Sequence, residues 1–319
     1  MKKRILSLLL AVVLCLSLMP LTVLAEDGAW DGSIATAFAG GTGTKSDPYQ
    51  IADGAQLAYL ANSVNGGESY ADTYFVLTAD IDLGNKNWTP IGNSFSGLLN
   101  HTDYSLFAGN FDGKGHTVSN ISIGTESTPL KSDVFGLFGA TGGKISNLNL
   151  NGITICGTAT NVNVSGYVYV IGLAGALAGS ASGPIENCHV TNLSMTMNMN
   201  MPDGAQVGFY WIGGLVGALD EDQHIDECST SGTIKELSGK GSIGGLIGEL
   251  GETAEITYSH ADVALDVALD VKPNYYGGAD VGGLIGKGNG ENNPKTVISN
   301  CYATGNVTGG AYPGGFAGS

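Results

Sequence analysis

The sequence predicts an all-β fold, a parallel β-solenoid in which successive repeats stack as coils and a short helix caps the N-terminal end. Glycine occupies 51 of the 319 positions whereas charged residues make up only 13%, a composition typical of short strands joined by tight turns. A glycine-rich motif recurs along the C-terminal two thirds of the chain. One segment has the periodicity of an amphipathic helix.

Residues 1–25 have the composition of a signal peptide. Lys2, Lys3 and Arg4 form its positive start, residues 5–18 are apolar, and Val23-Leu24-Ala25 precedes the expected cleavage site. The apolar run is shorter than the ~20 residues that a bilayer span needs. We expect a secreted product that does not insert into the membrane after signal removal.

The charge of the chain excludes two classes of partner. Residues 1–25 contain three basic groups and no acidic ones, so residues 26–319 carry ten lysines against 29 acidic groups, a net charge of −19 without any arginine. Nucleic acids and anionic membranes should repel such a chain. Neither is expected as a partner.

Residues 26–106 are interpreted as a leader and capping region. A helix is predicted over residues 54–65, because Asp53 can cap it, Gln56 follows three residues later as in a capping box, and Gly66 ends it. Its apolar stripe is Leu57, Leu60, Ala61 and Val64. Such a helix can cover the end of the core and an unpaired strand edge. Residues 74–83 are predicted to form a pair of strands.

Residues 107–319 are interpreted as repeats, truncated at the C-terminus. The equivalent glycines of the recurring motif are taken as Gly136, Gly172, Gly214, Gly245, Gly283 and Gly315, spaced 36, 42, 31, 38 and 32 residues apart. A second signature follows the first five copies, beginning at Ile145, Ile185, Ile225, Ile256 and Ile298, and residues 118–121 (Val-Ser-Asn-Ile) are matched to it upstream. Each unit offers about three short strands, as in one coil of a parallel solenoid. A glycine-rich antiparallel sandwich is the alternative, but it gives no reason for the period.

The cysteines are interpreted as buried free thiols. Cys188, Cys228 and Cys301 occupy the same place in their units, where Ser259 and Leu148 stand in others. A position that accepts leucine, serine or cysteine indicates a small inward-facing side chain. The Cys-x-x-Cys spacing of zinc sites is missing. No metal and no cofactor are expected.

The repeated Gly-Leu-x-Gly resembles the GLUG motif of secreted and surface-attached bacterial proteins. Residues 38–51, 88–92 and 111–117 resemble the leader that commonly precedes such repeats. The resemblance implies a right-handed β-helix on the outside of a bacterium, usually within a longer protein. Some relatives precede a zinc metallopeptidase that cleaves immunoglobulin A and needs His-Glu-x-x-His. No histidine here is followed by glutamate, so that peptidase is not expected within this sequence.

The preferred functional interpretation is a non-catalytic adhesion or spacer module that binds a glycan or a host or cell-wall protein. One alternative is a carbohydrate-active β-helix enzyme, with Asp80, Asp82 and Asp112 as candidates for acid–base hydrolysis. The structural interpretation of these residues is a strand flanked by aspartates and a turn at Asp112-Gly113. Another alternative is the non-catalytic N-terminal part of a larger surface metallopeptidase.

The candidate ligand-binding residues are aromatic. Tyr169, Trp211 and Tyr312 each stand three residues before the first glycine of their motif, with Tyr167, Tyr210, Tyr275 and Tyr276 nearby. They are predicted to form an exposed stripe, which could stack on sugar rings or simply cover glycine-rich backbone.

The sequence stops at Ser319, inside the first strand of a sixth unit. A solenoid that ended there would expose an edge strand, whereas natural solenoids end in a polar cap. We therefore expect a longer protein whose C-terminal part holds further coils and the surface attachment.

Overall fold

The computed structural model describes residues 28–94, 105–164, 167–199, 207–269, 278–288 and 296–318. The predicted signal peptide, Tyr275 and Tyr276 lie outside the described residues, and nothing is described of the Tyr167 side chain. Over the described ranges the chain is mostly β, with one helix and 26 strands.

The helix is α1 (Gly54–Asn65), and the strands in chain order are β1 (Tyr49–Ile51), β2 (Tyr74–Leu77), β3 (Ile81–Asp82), β4 (Asn110–Asp112), β5 (Thr117–Ile123), β6 (Leu130–Ser132), β7 (Val134–Phe135), β8 (Phe138–Thr141), β9 (Ile145–Val164), β10 (Tyr167–Gly175), β11 (Ala178–Ala181), β12 (Ile185–Asn198) and β13 (Val207–Gly213). They continue with β14 (Val216–Leu219), β15 (His224–Asp226), β16 (Ser229–Glu236), β17 (Ser242–Gly244), β18 (Ile247–Leu250), β19 (Glu255–Thr257), β20 (His260–Val267), β21 (Asp280–Gly282), β22 (Ile285–Gly288), β23 (Val297–Ser299), β24 (Tyr302–Ala303), β25 (Val307–Gly309) and β26 (Tyr312–Gly314).

Equivalent strands of successive repeats pair side by side in parallel columns. The first column runs β7–β10–β13–β17–β21–β26. The second is the five-stranded sheet β8–β11–β14–β18–β22. The third runs β1–β2–β4–β9–β12–β15–β19–β23. Among the strand pairs of the described ranges only β9 and β10 are antiparallel.

The stacking puts like residues of successive repeats next to one another in the core. Ile145, Ile185, Ile225 and Ile256 follow one another along the third column, and each is fully buried. Ile298 pairs with Ile256 but is 39% exposed, since it has a strand of this column on one side only within the described residues. Burial of each repeat therefore depends on the neighbouring repeat.

Helix α1 forms where the sequence predicts it. The Asp53 side chain accepts a hydrogen bond from the Gln56 amide at 2.8 Å, and Gln56 Oε1 accepts one from the Ala52 amide at 2.8 Å. The predicted stripe is buried in the same core cluster as Ile51 of β1. Asn65, at the end of the helix, accepts hydrogen bonds from the amides of Gly92 and Asn93 and so connects the helix to the loop that contains them.

The second copy of the glycine motif is four residues later than the sequence predicted. Ala178 pairs with Phe138 on one side and with Val216 on the other, so Ala176, not Gly172, is equivalent to Gly136 and Gly214. The corrected spacings between equivalent positions are 40, 38, 31, 38 and 32 residues. The error arose because residues 171–175 and 175–179 both resemble the motif and only the strand register distinguishes them.

The match of residues 118–121 to the second signature was also wrong. Phe111 and Asp112 pair with Ile145 and Ser146, whereas Val118 pairs with Leu150, one strand segment further along. The true equivalent of the signature is therefore Phe111-Asp112-Gly113. Asn120 lies at a different corner, opposite the Gly152 position of β9.

The third residue of the second signature lies at a corner and has a left-handed backbone. The φ angles are 52° at Asn147, 49° at Asn187, 52° at Glu227, 47° at Tyr258 and 55° at Asn300. Asparagine tolerates this conformation better than most residues with a Cβ. The signature therefore records a backbone turn that each repeat makes at the same point.

A glycine of the repeated motif tests the stacking. A Cβ added at Gly283 would lie 2.2 Å from the carbonyl oxygen of Gly315, whereas a Cβ at Gly315 would meet no heavy atom within 4 Å. We expect Gly283→Ala to lower the free energy of unfolding by roughly 1–3 kcal/mol, because the neighbouring backbone must move. Gly315→Ala is the matched control and should change it by less than about 0.5 kcal/mol. Equal effects in chemical denaturation would contradict the close approach.

Candidate functional site

A groove crosses the outer face of the third column near its N-terminal end. Tyr74 of β2 pairs with Asn110 of β4, and the Lys144 carbonyl, beside Asn110, accepts from the Phe111 amide at 2.8 Å. Because β-strand side chains alternate between faces, Phe111 is buried in the core while its neighbours in the strand face outwards. The groove has a volume of about 480 Å³, and we call it the basic groove; its defining residues are Lys45, Tyr74, Asn110, Asp112, Lys114 and Lys144.

Asp112 organises one side of the basic groove. Its Oδ1 accepts hydrogen bonds from the Lys114 amide and from Asn147 Nδ2, both at 2.9 Å, and its Oδ2 lies 2.8 Å from Lys114 Nζ. Burial raises the pKa of Asp112, but the hydrogen bonds from Lys114 and Asn147 outweigh it, and the pKa lies below the ordinary 3.8. At neutral pH Asp112 is therefore a carboxylate that can only accept hydrogen bonds.

A ladder of polar side chains continues from Asp112 along the corner. Asn187 Nδ2 donates to Asn147 Oδ1 at 2.9 Å, and His189 Nε2 lies 3.0 Å from Asn187 Oδ1. His189 Nδ1 lies 2.9 Å from Ser229 Oγ. Burial lowers the pKa of His189, so the ring is neutral at pH 7. Four successive repeats are thus linked by side-chain hydrogen bonds as well as by their backbones.

The lysines of the basic groove differ in their partners. Lys114 pairs with Asp112, and Lys144 Nζ donates a short hydrogen bond to Glu186 Oε2. The hydrogen bond from Lys144 is the main cause that lowers the pKa of Glu186. Among the described residues Lys45 has no carboxylate within 4.0 Å. The groove itself thus contains three ammonium groups and one carboxylate.

Asp80 and Asp82 line a different groove, together with Trp30, Asp31 and Asp53, with a volume of about 590 Å³. They flank Ile81 in and beside β3 and so face outwards, as the alternation predicts. The structure therefore brings Asp80 and Asp82 together and places Asp112 in the neighbouring basic groove.

The hydrogen bonds of Asp80 and Asp82 are structural. Asp80 Oδ1 accepts from the Thr117 amide at 2.9 Å and lies 3.1 Å from His116 Nδ1. Asp82 Oδ1 accepts from the Gly84 amide at 2.8 Å and from Asn120 Nδ2 at 2.9 Å. The hydrogen bond from the Thr117 amide lowers the pKa of Asp80. A general acid needs a raised pKa, which is the opposite direction.

The three candidate aromatic residues do not form one stripe. Trp211 pairs with Leu173 and with Ser242, and the same row of the first column ends at Tyr312, which is 54% exposed. Tyr169 pairs with Val207 and so lies four residues away from this row along the strand. The prediction of equivalence was wrong for Tyr169, because it rested on the misplaced glycine motif. Tyr169 and Trp211 nevertheless pack on one small apolar cluster, which consists of Val134, Ile171 and Leu173.

Of the cysteines predicted to be buried, Cys188 and Cys228 are buried, whereas Cys301 is half-buried against the core. Cys188 and Cys228 are buried in adjacent repeats, and the Cys188 amide donates to Cys228 Sγ at 3.4 Å. The Cys228 amide in turn donates to Ser259 Oγ at 3.0 Å. Burial raises the pKa of the Cys228 thiol, so it stays protonated. The four cysteines in the described ranges are free thiols.

In the part of the chain that the structure describes, no group of three or more histidine, cysteine, aspartate or glutamate side chains is arranged to hold a metal ion. Helix α1, the one helix within the described residues, is not long and apolar enough to cross a membrane.

Comparison with known families decides the identity of the repeat. The family model described as the GLUG motif matches residues 277–308. This chain carries the GLUG motif. The resemblance that the repeats suggested is therefore confirmed, although the matched stretch is one repeat of those that the strand register aligns.

Relatives of this GLUG-motif chain are much longer proteins. It is 31% identical over 207 residues to halomucin of Haloquadratum walsbyi, 63% of this chain and 2% of that protein. It is 31% identical over 191 residues to a protein of Evansella cellulosilytica whose name describes it as Gly-rich and of the membrane, 57% of this chain and 18% of that one. It is 29% identical over 255 residues to the immunoglobulin A1 protease of Streptococcus sanguinis, 78% of this chain and 10% of that enzyme. The chain thus spans less than a fifth of each relative.

A solved structure supports the fold. A chain from Bacteroides ovatus, assigned as an immunoglobulin A1 protease, superposes with a TM-score of 0.50 over 83% of this chain and 78% of the other, at 20% identity. At that identity the likeness concerns the fold alone.

The basic groove was missed in the sequence. Lys45, Lys114 and Lys144 are separated by 69 and 30 residues, and each stands in an ordinary turn-like context. The available signal was weak: few lysines in an acidic chain, with two of them close to the start of a repeat signature. Only the folded structure shows that these three turn and loop positions line one groove.

The corner residue Asn147 separates backbone strain from hydrogen bonding. Asn147→Ala should lower the free energy of unfolding by roughly 2–4 kcal/mol, because it loses two side-chain hydrogen bonds and puts alanine in a left-handed conformation. Asn147→Gly loses the same hydrogen bonds without the strain and should cost roughly 1–2 kcal/mol. Urea unfolding of both variants measures the difference. A glycine variant as unstable as the alanine variant would contradict the left-handed corner.

The depressed pKa of Asp112 predicts an acid-sensitive contribution to stability. A carboxyl whose pKa is lower in the folded state stabilises above its unfolded value, and this stabilisation is lost as the pH falls through the folded value. Between about pH 4 and pH 2, the unfolding free energy of Asp112→Asn should therefore fall less steeply than that of the wild type. Asp266→Asn, an exposed change on β20, is the charge-matched control. Parallel pH profiles of wild type and Asp112→Asn would contradict the assignment.

Proposed function

We propose that this chain is a non-catalytic repeat segment of a larger secreted or surface protein, where it serves as a spacer and binding module towards glycans or host or cell-wall proteins. Its coils are those of a right-handed β-helix, with α1 as the N-terminal cap. The observation that carries the proposal is the parallel register of equivalent strands in successive repeats, together with the small share of each relative that the chain spans.

The stacked architecture suits a spacer. Each repeat adds one strand to every column, so length grows by ~4.8 Å per repeat. The eight strands of the third column extend roughly 35 Å along the stack. Proteins built in this way gain length by adding repeats, without changing the core.

The surface location of the proposal has two supports. Residues 1–25 have the composition of a signal peptide. One relative is named as a membrane protein and another as an immunoglobulin A1 protease. The proposal therefore includes the export of this chain and its display at the cell surface.

Catalysis by the β-helix itself is the competing function. The candidate carboxylates argue against it, because Asp112 lies in a different groove from Asp80 and Asp82 and because the pKa shifts at Asp80 and Asp112 are downward. Incubation with pectins, glycosaminoglycans and mucin glycans, followed by assay of new reducing ends or unsaturated products, tests it. If the wild type turns over one of these glycans and Asp80→Ala or Asp82→Ala abolishes the turnover, the result would contradict the proposed function and support an enzyme.

The binding role is tested with the aromatic row of the first column. On an array of glycans and matrix proteins we expect binding that Trp211→Ala or Tyr312→Ala weakens by about tenfold, as loss of a stacked aromatic contact does. Tyr258→Ala is the matched control, since Tyr258 is 62% exposed at a corner of the third column. Binding that all three variants weaken equally would contradict the role of the row. No binding to any array member would leave only the spacer role.

A further inference from the structure

We propose that the basic groove binds an acidic saccharide whose sugar rings carry carboxylates. This specifies one ligand class for the binding module proposed above and rests on that proposal. The groove is separate from the row of Trp211 and Tyr312, which lies on the first column.

The local charge of the groove opposes the charge of the chain. Residues 26–319 carry a net charge of −19, yet three of the eight described lysines line this one groove. Positive charge gathered in a concave site draws anionic ligands there although the molecule as a whole repels them. Neutral or cationic ligands, which the negative net charge of the chain would otherwise favour, gain no affinity from the ammonium groups of this groove.

Lys45 is the ammonium group that offers a new ion pair. Lys114 and Lys144 are each held by a carboxylate of the chain, whereas Lys45 has none within 4.0 Å among the residues described. Lys45 is exposed in the loop before β1, so it can reach a ligand without breaking a native contact. A lysine ammonium has three donors, and Lys114 and Lys144 keep donors for the same ligand beyond their present bonds.

The other residues of the groove suit a sugar better than a peptide. Asn110 and Asn147 offer both donors and acceptors, and the Asp112 carboxylate, already bonded to Lys114 and Asn147, keeps acceptor sites for sugar hydroxyls. A polyglutamate peptide would bring carboxylates and backbone N–H donors, but it lacks the several hydroxyl groups that each sugar ring presents. Tyr74 and Pro48 add an aromatic and an apolar surface of the kind that a sugar ring packs against.

The shape of the groove indicates an extended ligand. It crosses the row of Pro48, Tyr74, Asn110 and Lys144, which lie on or next to adjacent strands. With ~4.8 Å between strands the row spans roughly 14 Å. This is a path for a short saccharide chain and too long for a single small anion.

Isothermal titration calorimetry of the purified chain tests the proposal with three probes at low ionic strength: tetragalacturonate, the same tetrasaccharide with its carboxyl groups reduced, and pentaglutamate. We expect tetragalacturonate to bind and the reduced saccharide to bind about tenfold or more weakly, because the charged hydrogen bond is lost. Raising the salt to 0.5 M should weaken the first interaction, since the groove is open to solvent.

Variants locate the binding. Lys45→Gln should weaken tetragalacturonate binding about tenfold, whereas Lys86→Gln, which removes an exposed lysine outside the groove, should leave it unchanged. Tyr74→Ala should weaken saccharide binding but not any residual binding of pentaglutamate. Circular dichroism of each variant confirms that it is folded.

Three results would overturn the proposal: equal effects of Lys45→Gln and Lys86→Gln, pentaglutamate binding as tightly as tetragalacturonate, or no binding of tetragalacturonate. If tetragalacturonate fails while the array detects glycans that Trp211→Ala loses, the proposed function stands and this inference falls. If no glycan or protein binds at all, the inference and the binding part of the proposed function fall together.

Discussion

The parallel backbone hydrogen bonding between equivalent strands of successive repeats is the constraint on which the rest of this structure depends. No strand of two to four residues, such as β7 or β15, can bury its apolar side chains alone. Once the register is set, every inward position is covered by the same position of the next repeat, as the buried isoleucines of the third column show. The motif glycines follow from the same constraint, because at Gly214, Gly245 and Gly283 the carbonyl oxygen of the next repeat occupies the space of a side chain.

The register also organises the outside of the molecule. Residues that face outwards at equivalent or neighbouring positions lie on adjacent strands, which is how Asp112, Asn147 and Asn187 come to share hydrogen bonds although they are 35 and 40 residues apart. The same geometry places the three lysines of the basic groove along its lining. Surface sites of this chain are therefore rows across repeats, and a change in repeat length moves a residue from one row to another.

What the sequence could predict follows from the range of the interactions. Helix α1 was predicted with its cap, its end and its buried stripe, because all of these are local. Stacked parallel strands from successive repeats were predicted, because the period of the sequence motif indicates repeats. The alignment of the second glycine motif was wrong, because Ala176 fills a position that is glycine elsewhere and a closer match lies four residues earlier. Tyr169 was misplaced for the same reason, and the basic groove was missed because nothing local marks it.

The central claim is the parallel, in-register stacking of successive repeats, and spin labels on β16 and β20 test it most directly. The labelling is done in a Cys301→Ser variant, because Ser259 shows that the equivalent position of the preceding repeat accepts serine. Cysteines are then introduced in pairs at Thr233 with Ala264 and at Lys235 with Asp266, all of which are exposed. Parallel register predicts strong dipolar broadening for both pairs, since paired strands lie ~4.8 Å apart. The exchanged pairs, Thr233 with Asp266 and Lys235 with Ala264, should broaden less. Stronger broadening in the exchanged pairs would mean antiparallel pairing and would contradict the account.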